Sequence, residues 1–210
     1  MYKRFAEQVP CIPVFSFSFS NMKCETENFQ KDFMFDNLYA GMRLQQSCNG
    51  QNVFLFFYGK KTFLSNAYPS PFVVDGISFR CAEQALQYFK AKTLNANDAA
   101  VQILLMVDST EMSKAGQELL SGDRNKENKD KWFNEGADIL RKVLKAKFSQ
   151  NERLLRMLQC TRPCSLIYAN PYDNFFGIGC SMANSKIDCF HNWRGENVMG
   201  KILEDIREQR

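Results

Sequence analysis

An α+β fold is predicted, a helix-rich single domain with a small early β-hairpin and sheet, and three observations predict it. Helical periodicity recurs over 81–93, 96–107, 109–121, 133–147, 151–159 and 197–209. Strand-like apolar runs cluster between 53 and 79 and return only near 165. No regular alternation of strand and helix joins them, which argues against a doubly wound sheet.

Taken in order, residues 1–50 carry little helical period and few aliphatic side chains. "VFSFSFS" (14–20) alternates Phe and Ser as a strand does, and "GMRLQQSCNGQN" (41–52) reads as a linker. This region is read as an N-terminal extension, partly disordered, with the domain proper over 51–210. "VFLFFYGKKTFLSN" (53–66) places two apolar runs around Gly59-Lys60-Lys61, the pattern of a hairpin. Asp75-Gly76 marks a second hairpin within "SPFVVDGISFR". The polar run "SGDRNKENKDK" (121–131) reads as a solvated loop between helices. "SLIYANPYDNFFGIG" (165–179) reads as a strand entering a turn-rich loop, and Val198, Ile202, Leu203 and Ile206 define the apolar face of the last helix.

Composition narrows the class. Of the 210 residues, 45% are hydrophobic and 24% charged, as in ordinary soluble domains. The net charge of +4 helps retain a phosphate-bearing ligand but falls short of a duplex-binding surface. Eight cysteines contain no C-x-x-C pair, and Cys160 and Cys164 have one His in the whole chain to complete a zinc site. Neither a metal nor a resident cofactor is expected. The cysteines are read as free, mostly buried thiols in a reducing compartment. No secretory or membrane-spanning stretch is visible, since "CIPVFSFSFS" (11–20) is short and broken by Pro13 and serines. An intracellular location follows, in cytoplasm or nucleus, with no membrane partner.

The stretch "AEQALQYFKAK" (82–92) carries Glu83, Gln87 and Lys90 on one helical side. At about 100° per residue from Glu83, Gln87 falls near 40° and Lys90 near −20°. Ala82, Ala85, Leu86 and Phe89 form the opposite, core-facing arc. Glu83 and Lys90 lie about 10.5 Å apart along the axis, too far for an i,i+4 ion pair but suited to one ligand between them. Spacing alone does not separate this from a solvated face.

The run "FLSNAYPSPFVVDGISFRCAEQALQYFKA" (63–91) resembles the opening motif of the YbiA-like, or NADAR, superfamily. That motif comprises a Phe-rich strand, an S-N turn, a D/N-G hairpin and a Glu-x6-Lys helix. "SKAGQEL" (113–119), "KWFNEGADILRKVLKAKFSQNERL" (131–154), "NPYDNFFGIG" (170–179) and "WRGENVMGKILEDIRE" (193–208) resemble its later motifs in order, so the likeness covers 53–210. It implies a YbiA-like fold and an N-glycosidase acting on an ADP-ribose or ribose-phosphate adduct, including removal of ADP-ribose from modified guanine in nucleic acid. The implied partner is a nucleotide-like small molecule or an ADP-ribosylated nucleic acid. The alternatives are an ADP-ribose or NAD-binding module without turnover, and an N-glycosidase of riboflavin-pathway intermediates.

The resemblance also implies roles. Glu83 stabilises positive charge at the anomeric carbon or positions a water, and Lys90 acts as an ammonium or, deprotonated, as a nucleophile forming a Schiff base. Asp173 is the candidate second acid/base group. Ser65, Asn66 and Gln87 are candidate ligand-binding side chains, with Trp132 and Phe176 as stacking faces. Gly177 and Gly179 are expected to bring backbone N–H groups to a phosphate, and Asn197 to mark an anion site at a helix start. The chain departs from the family pattern at Phe176, where relatives carry Trp, at Tyr168, where many carry Glu, and at Ala67, where an aromatic is usual.

Overall fold

The computed structural model describes residues 40–121 and 125–209. Strand β2 (Val53–Phe57) is apolar throughout because it is the middle strand of a sheet covered on both faces. Leu55 and Phe57 join the main core with Leu140, Leu144, Phe148 and Leu203. Phe54 and Phe56 point the other way, toward Ile167, Ile178, Ile187 and Trp193. Antiparallel β1 (Met42–Gln46) flanks one edge, and β5 (Ser165–Tyr168) pairs in parallel with the other. Strands β3 (Phe72–Val74) and β4 (Ile77–Phe79) form a separate hairpin around Asp75 and Gly76, both at positive φ, as the dipeptide predicts.

Among the described residues six α-helices complete the domain: α1 (Ala82–Thr93), α2 (Asn97–Leu105), α3 (Ser109–Glu118), α4 (Asn125–Ser149), α5 (Glu152–Gln159) and α6 (Val198–Glu208). This is the expected helix-rich α+β architecture. Gln84, only 2% exposed, closes the end of α2: its amide nitrogen faces the carbonyls of Ile103, Leu104 and Met106 at 3.1–3.2 Å.

Four sequence readings are corrected. Residues 41–52 are not a linker: Met42–Gln46 is β1, and its hairpin with β2 closes through Asn49-Gly50, with Gly50 at φ 71. The hairpin expected within 53–66 does not form. Past Gly59 the chain turns, and Phe63 and Leu64 enter the core instead of pairing. The polar run 121–131 is helical from Asn125, because α4 runs back from its buried Trp132, and Asn128 Nδ2 donates to Leu119 O at 3.1 Å. Cys48 and Cys189 are joined by a disulfide, which ties the β1–β2 turn to the 186–193 loop; Cys81, Cys164 and Cys180 keep free, buried thiols. The Phe/Ser strand expected at 14–20 lies outside the described residues. Among the described residues no helix is long and apolar enough to cross a membrane.

The end of α4 carries three polar side chains that hold the backbone of 63–73. Lys147, with no exposed surface, donates from Nζ to Phe63 O at 2.7 Å and Ser65 O at 2.8 Å. Gln150 exchanges two bonds with the backbone of Val73, at 2.9 and 2.8 Å. Asn151 Nδ2 donates to Pro71 O at 3.2 Å. Burial pulls the Lys147 ammonium down to about 7, and the two carbonyls replace its lost water. Replacing Lys147 by Met strands those carbonyls, so Lys147→Met is expected to lower unfolding free energy by about 2 kcal/mol, read from urea denaturation midpoints.

Candidate active site

Lys147 holds the turn that starts the site. One residue past Ser65, the carbonyl of Asn66 accepts the backbone N–H of Glu83 at 2.8 Å, fixing the first turn of α1. The polar stripe of α1 is then not a solvated face. Gln87 and Lys90 are each 6% exposed, and with Glu83 they line a cavity of about 940 Å³. Helix α3 forms one wall with Ser113 and Gln117, α4 another with Lys129, Trp132 and Phe133, and the 168–176 segment closes the third.

Close packing sets the floor. A Cβ on Gly116 would fall on the Gln87 side chain, so the absence of a side chain there lets α3 approach α1. Gln87 Nε2 donates to Glu83 Oε1 at 2.9 Å, and Lys90 Nζ donates to Gly116 O at 3.3 Å. The Lys90 ammonium sits 4.6 Å from the centre of the Trp132 ring. Trp132 is itself backed by Gly136, whose Cβ would press on the indole.

Glu83 and Lys90 are each shifted toward their own neutral form. Burial raises the Glu83 carboxyl above its usual range; the Gln87 bond, the Lys90 charge and the adjacent Ser113 hydroxyl oppose this. Burial also lowers Lys90 to about 8, against the attraction of Glu83 and Asp173. A carboxylate in low dielectric is a stronger base, and an amine near 8 has a usable neutral fraction at physiological pH. Asp173 lines the same cavity, but its Oδ1 already accepts from the amides of Phe175 and Phe176 at 2.9 and 2.8 Å. Buried Asn66 Oδ1 and Gln87 Oε1 have no hydrogen-bond partner. Asn66 and Gln87 both line the cavity, but these two oxygens have almost no accessible surface, and Gln87 Oε1 lies against Gly116 of α3.

Seven of the residues singled out from sequence thus meet in one cavity: Glu83, Lys90, Asp173, Asn66, Gln87, Trp132 and Phe176. Four do not. The Ser65 hydroxyl accepts from the Ala67 N–H at 3.2 Å and serves its own turn. Gly177 is a packing glycine, since a Cβ there would lie 2.9 Å from both Asn170 Cβ and the Asp173 carbonyl. The Gly179 N–H is taken by Asp173 O at 3.0 Å. Asn197 is left-handed at φ 55, and its side chain holds β5 through Leu166 O (2.8 Å) and Tyr168 N (2.9 Å), where an anion site was expected. Sequence reasoning missed Ser113, Gln117 and Phe133. Ser113 and Gln117 share a face of α3 four residues apart within "SKAGQEL", a signal readable once Gly116 is seen as the close-approach point.

This fold is that of a YbiA-like domain. The chain belongs to the NADAR family, whose domain profile matches residues 56–209. It is 32% identical over 171 residues to Protein irg-1 of Caenorhabditis elegans, covering 75% of this chain and 79% of that protein. It is 26% identical over 145 residues to N-glycosidase YbiA of Escherichia coli (strain K12), covering 69% and 79% respectively. The NMR structure of E. coli YbiA superposes with a TM-score of 0.57 at 23% identity, covering 78% of this chain and 90% of that one, and shows the fold.

The cation–π contact and the Glu83 charge both favour the Lys90 ammonium. Trp132→Leu is therefore expected to lower the Lys90 pKa from about 8 by about one unit, and Glu83→Gln to lower it as well. Titration of the Lys90 side-chain resonance in lysine-labelled protein checks both.

Proposed function

We propose that the protein is an N-glycosidase that cleaves the bond between a base and the anomeric carbon of an ADP-ribose or ribose-phosphate adduct. The observation that carries this reading is Glu83 and Lys90 together on the floor of one cavity, both desolvated, beside the Trp132 ring. As the C1′–N bond breaks, its electron pair leaves with the base and positive charge builds on the ribose. The Glu83 carboxylate is placed to stabilise that charge in a medium of low dielectric. The name of E. coli YbiA, an N-glycosidase, supports the same class of reaction.

In the covalent form of the proposal, neutral Lys90 donates its lone pair to C1′ as the C1′–N bond breaks, and the departing base takes up a proton from solvent water. The substituted amine loses a proton to Glu83, Glu83 returns it to the ring oxygen as the ring C1′–O bond opens, and a protonated Schiff base to the sugar results. Water then adds to the C=N bond, returning the amine and releasing the sugar. Glu83, whose affinity for protons is raised by burial, is suited to receive and return that proton. Removal of ADP-ribose from modified guanine is the version with the larger ligand.

A second reading, ligand binding without turnover, is favoured by Tyr168 standing where many relatives carry a carboxylate. Release assays on ADP-ribosylated guanosine, ADP-ribosylated DNA and a riboflavin-pathway intermediate separate the two. Base release by the native protein, lost at least a hundredfold in Glu83→Gln while ADP-ribose still binds, supports the glycosidase; tight binding with release by neither supports the second reading. Borohydride is expected to trap the sugar on Lys90. The pH profile tests the same step: a neutral nucleophile makes kcat/KM rise with pH and level off above about 8, whereas an ammonium acid makes it fall there.

A further inference from the structure

The loop that walls the active site also borders a second cavity, of about 450 Å³, which shares no lining residue with the first. Pro171 lines this cavity, whereas its neighbours Asn170 and Tyr172 line the other, so the segment stands between them. Lys186 and Arg194 bring two positive charges to the second cavity, and its lining contains no Asp or Glu. Among the described residues neither cation takes part in an ion pair. Arg194 is held in one orientation, because its Nε, at 2.9 Å, and its Nη2 both donate to Gly179 O. That contact uses the side of the guanidinium and leaves its end, the parallel N–H groups of Nη1 and Nη2, without a protein partner. The free end is the fork that matches two oxygens of a phosphate. Ser181 Oγ accepts from the Ala183 N–H at 3.2 Å, which leaves its own O–H to donate. The surrounding frame is already formed: the Cys48–Cys189 disulfide, Asn192 Nδ2 on Lys186 O at 2.9 Å and Trp193 Nε1 on Ile187 O at 2.7 Å fasten the 186–193 loop.

We propose that this cavity is a second ligand site, taking a phosphate group, free or as a monoester, on the Arg194 fork with Lys186 as the second charge. The proposal stands apart from the glycosidase reading and needs no turnover. A lone exposed lysine is a solvated charge. Here two cations, an oriented fork and a hydroxyl converge on one concavity with no opposing acid. A carboxylate would spend both its oxygens on the fork and leave Lys186 and Ser181 unmet, whereas a phosphate has a third oxygen for them. The same contacts connect the site to the active-site wall. Gly179 O holds Arg194, the Gly179 N–H donates to Asp173 O at 3.0 Å, and the Asp173 carboxylate carries the amides of Phe175 and Phe176. A phosphate that fixes Arg194 thereby steadies the loop that brings Asp173, Phe175 and Phe176 to the active site.

The test titrates inorganic phosphate and glycerol 3-phosphate into the native protein by calorimetry, with backbone amide spectra recorded alongside. The amides of Gly179, Ser181 and Asn192 are expected to shift, with smaller shifts at Phe175 and Phe176. Lys90 and Lys129 in the active site also attract phosphate, so Lys129→Gln is the control and is expected to leave the second site's affinity unchanged. Arg194→Lys, which keeps the charge and loses the fork, and Lys186→Gln, an exposed position outside any regular element, are each expected to weaken binding about tenfold. No shift of the Gly179, Ser181 and Asn192 amides, binding abolished by Lys129→Gln, or affinity unchanged in either Arg194→Lys or Lys186→Gln overturns the second site. Shifts confined to the second cavity retain the site and overturn its connection to the active-site wall. Tighter binding of glycerol 3-phosphate identifies a monoester as the occupant, and tighter binding of inorganic phosphate identifies the free ion.

Discussion

Helix α4 ends in a clamp, and the position of the whole cavity floor follows from it. A fully buried ammonium without a carboxylate partner is costly unless its protons meet acceptors, and Lys147 meets backbone carbonyls of Phe63 and Ser65. Those carbonyls belong to a turn that has no strand to satisfy it. The lysine therefore stands in for the missing ladder while Gln150 and Asn151 fasten the chain as far as Val73. Because the next residue, Asn66, bonds the Glu83 N–H, an error in this turn becomes an error in the direction of α1. The polar residues of "KFSQN" thus act on geometry, away from the ligand.

The floor itself is built by desolvation and offset by few compensations. Glu83 has one amide bond from Gln87 and a neighbouring hydroxyl, and Lys90 has one carbonyl and one indole face. Neither set equals what water supplies, which is why burial is the leading cause of both shifts. An ion pair in contact would have locked the two in their charged forms. Among the described residues Glu83 and Lys90 make none, consistent with the two helical turns between them.

Periodicity made all six helices legible, because each buries an amphipathic face. It erred at the start of α4, where a charged run with no apolar stripe is carried by the helix beyond it. The early strands were half legible. Asp75-Gly76 declared its hairpin, whereas β1 pairs through moderately buried side chains that carry little alternation, and its Asn49-Gly50 signal sits inside polar text. In the site, Glu83, Gln87 and Lys90 were found on helix spacing and Asn66, Trp132, Asp173 and Phe176 through the family resemblance, whereas Ser113 and Gln117, which reach the cavity only because Gly116 lets α3 approach α1, were not. Gly177 and Asn197 show the converse: residue types suited to anions that packing had already committed to the β5 loop.

Tyr168 shows how a departure from the family pattern can act in favour of the carboxylate that remains. Its ring stacks on Phe57 at 5.3 Å, and its hydroxyl accepts from Asn170 at 3.3 Å. Burial first, and then the Glu83 charge, pushes the phenol far above its ordinary value, so it is neutral at any physiological pH. A third carboxylate in this place would add like charge beside Glu83 and Asp173 and push Glu83 further toward its protonated form. The neutral phenol leaves the floor with fewer competing anions. Since the Asp173 charge already raises the Glu83 pKa while Lys90 lowers it, removing a further acid moves Glu83 toward its ionised form. Ionised Glu83 is the form that can answer positive charge at an anomeric carbon, so Tyr168 is compatible with turnover.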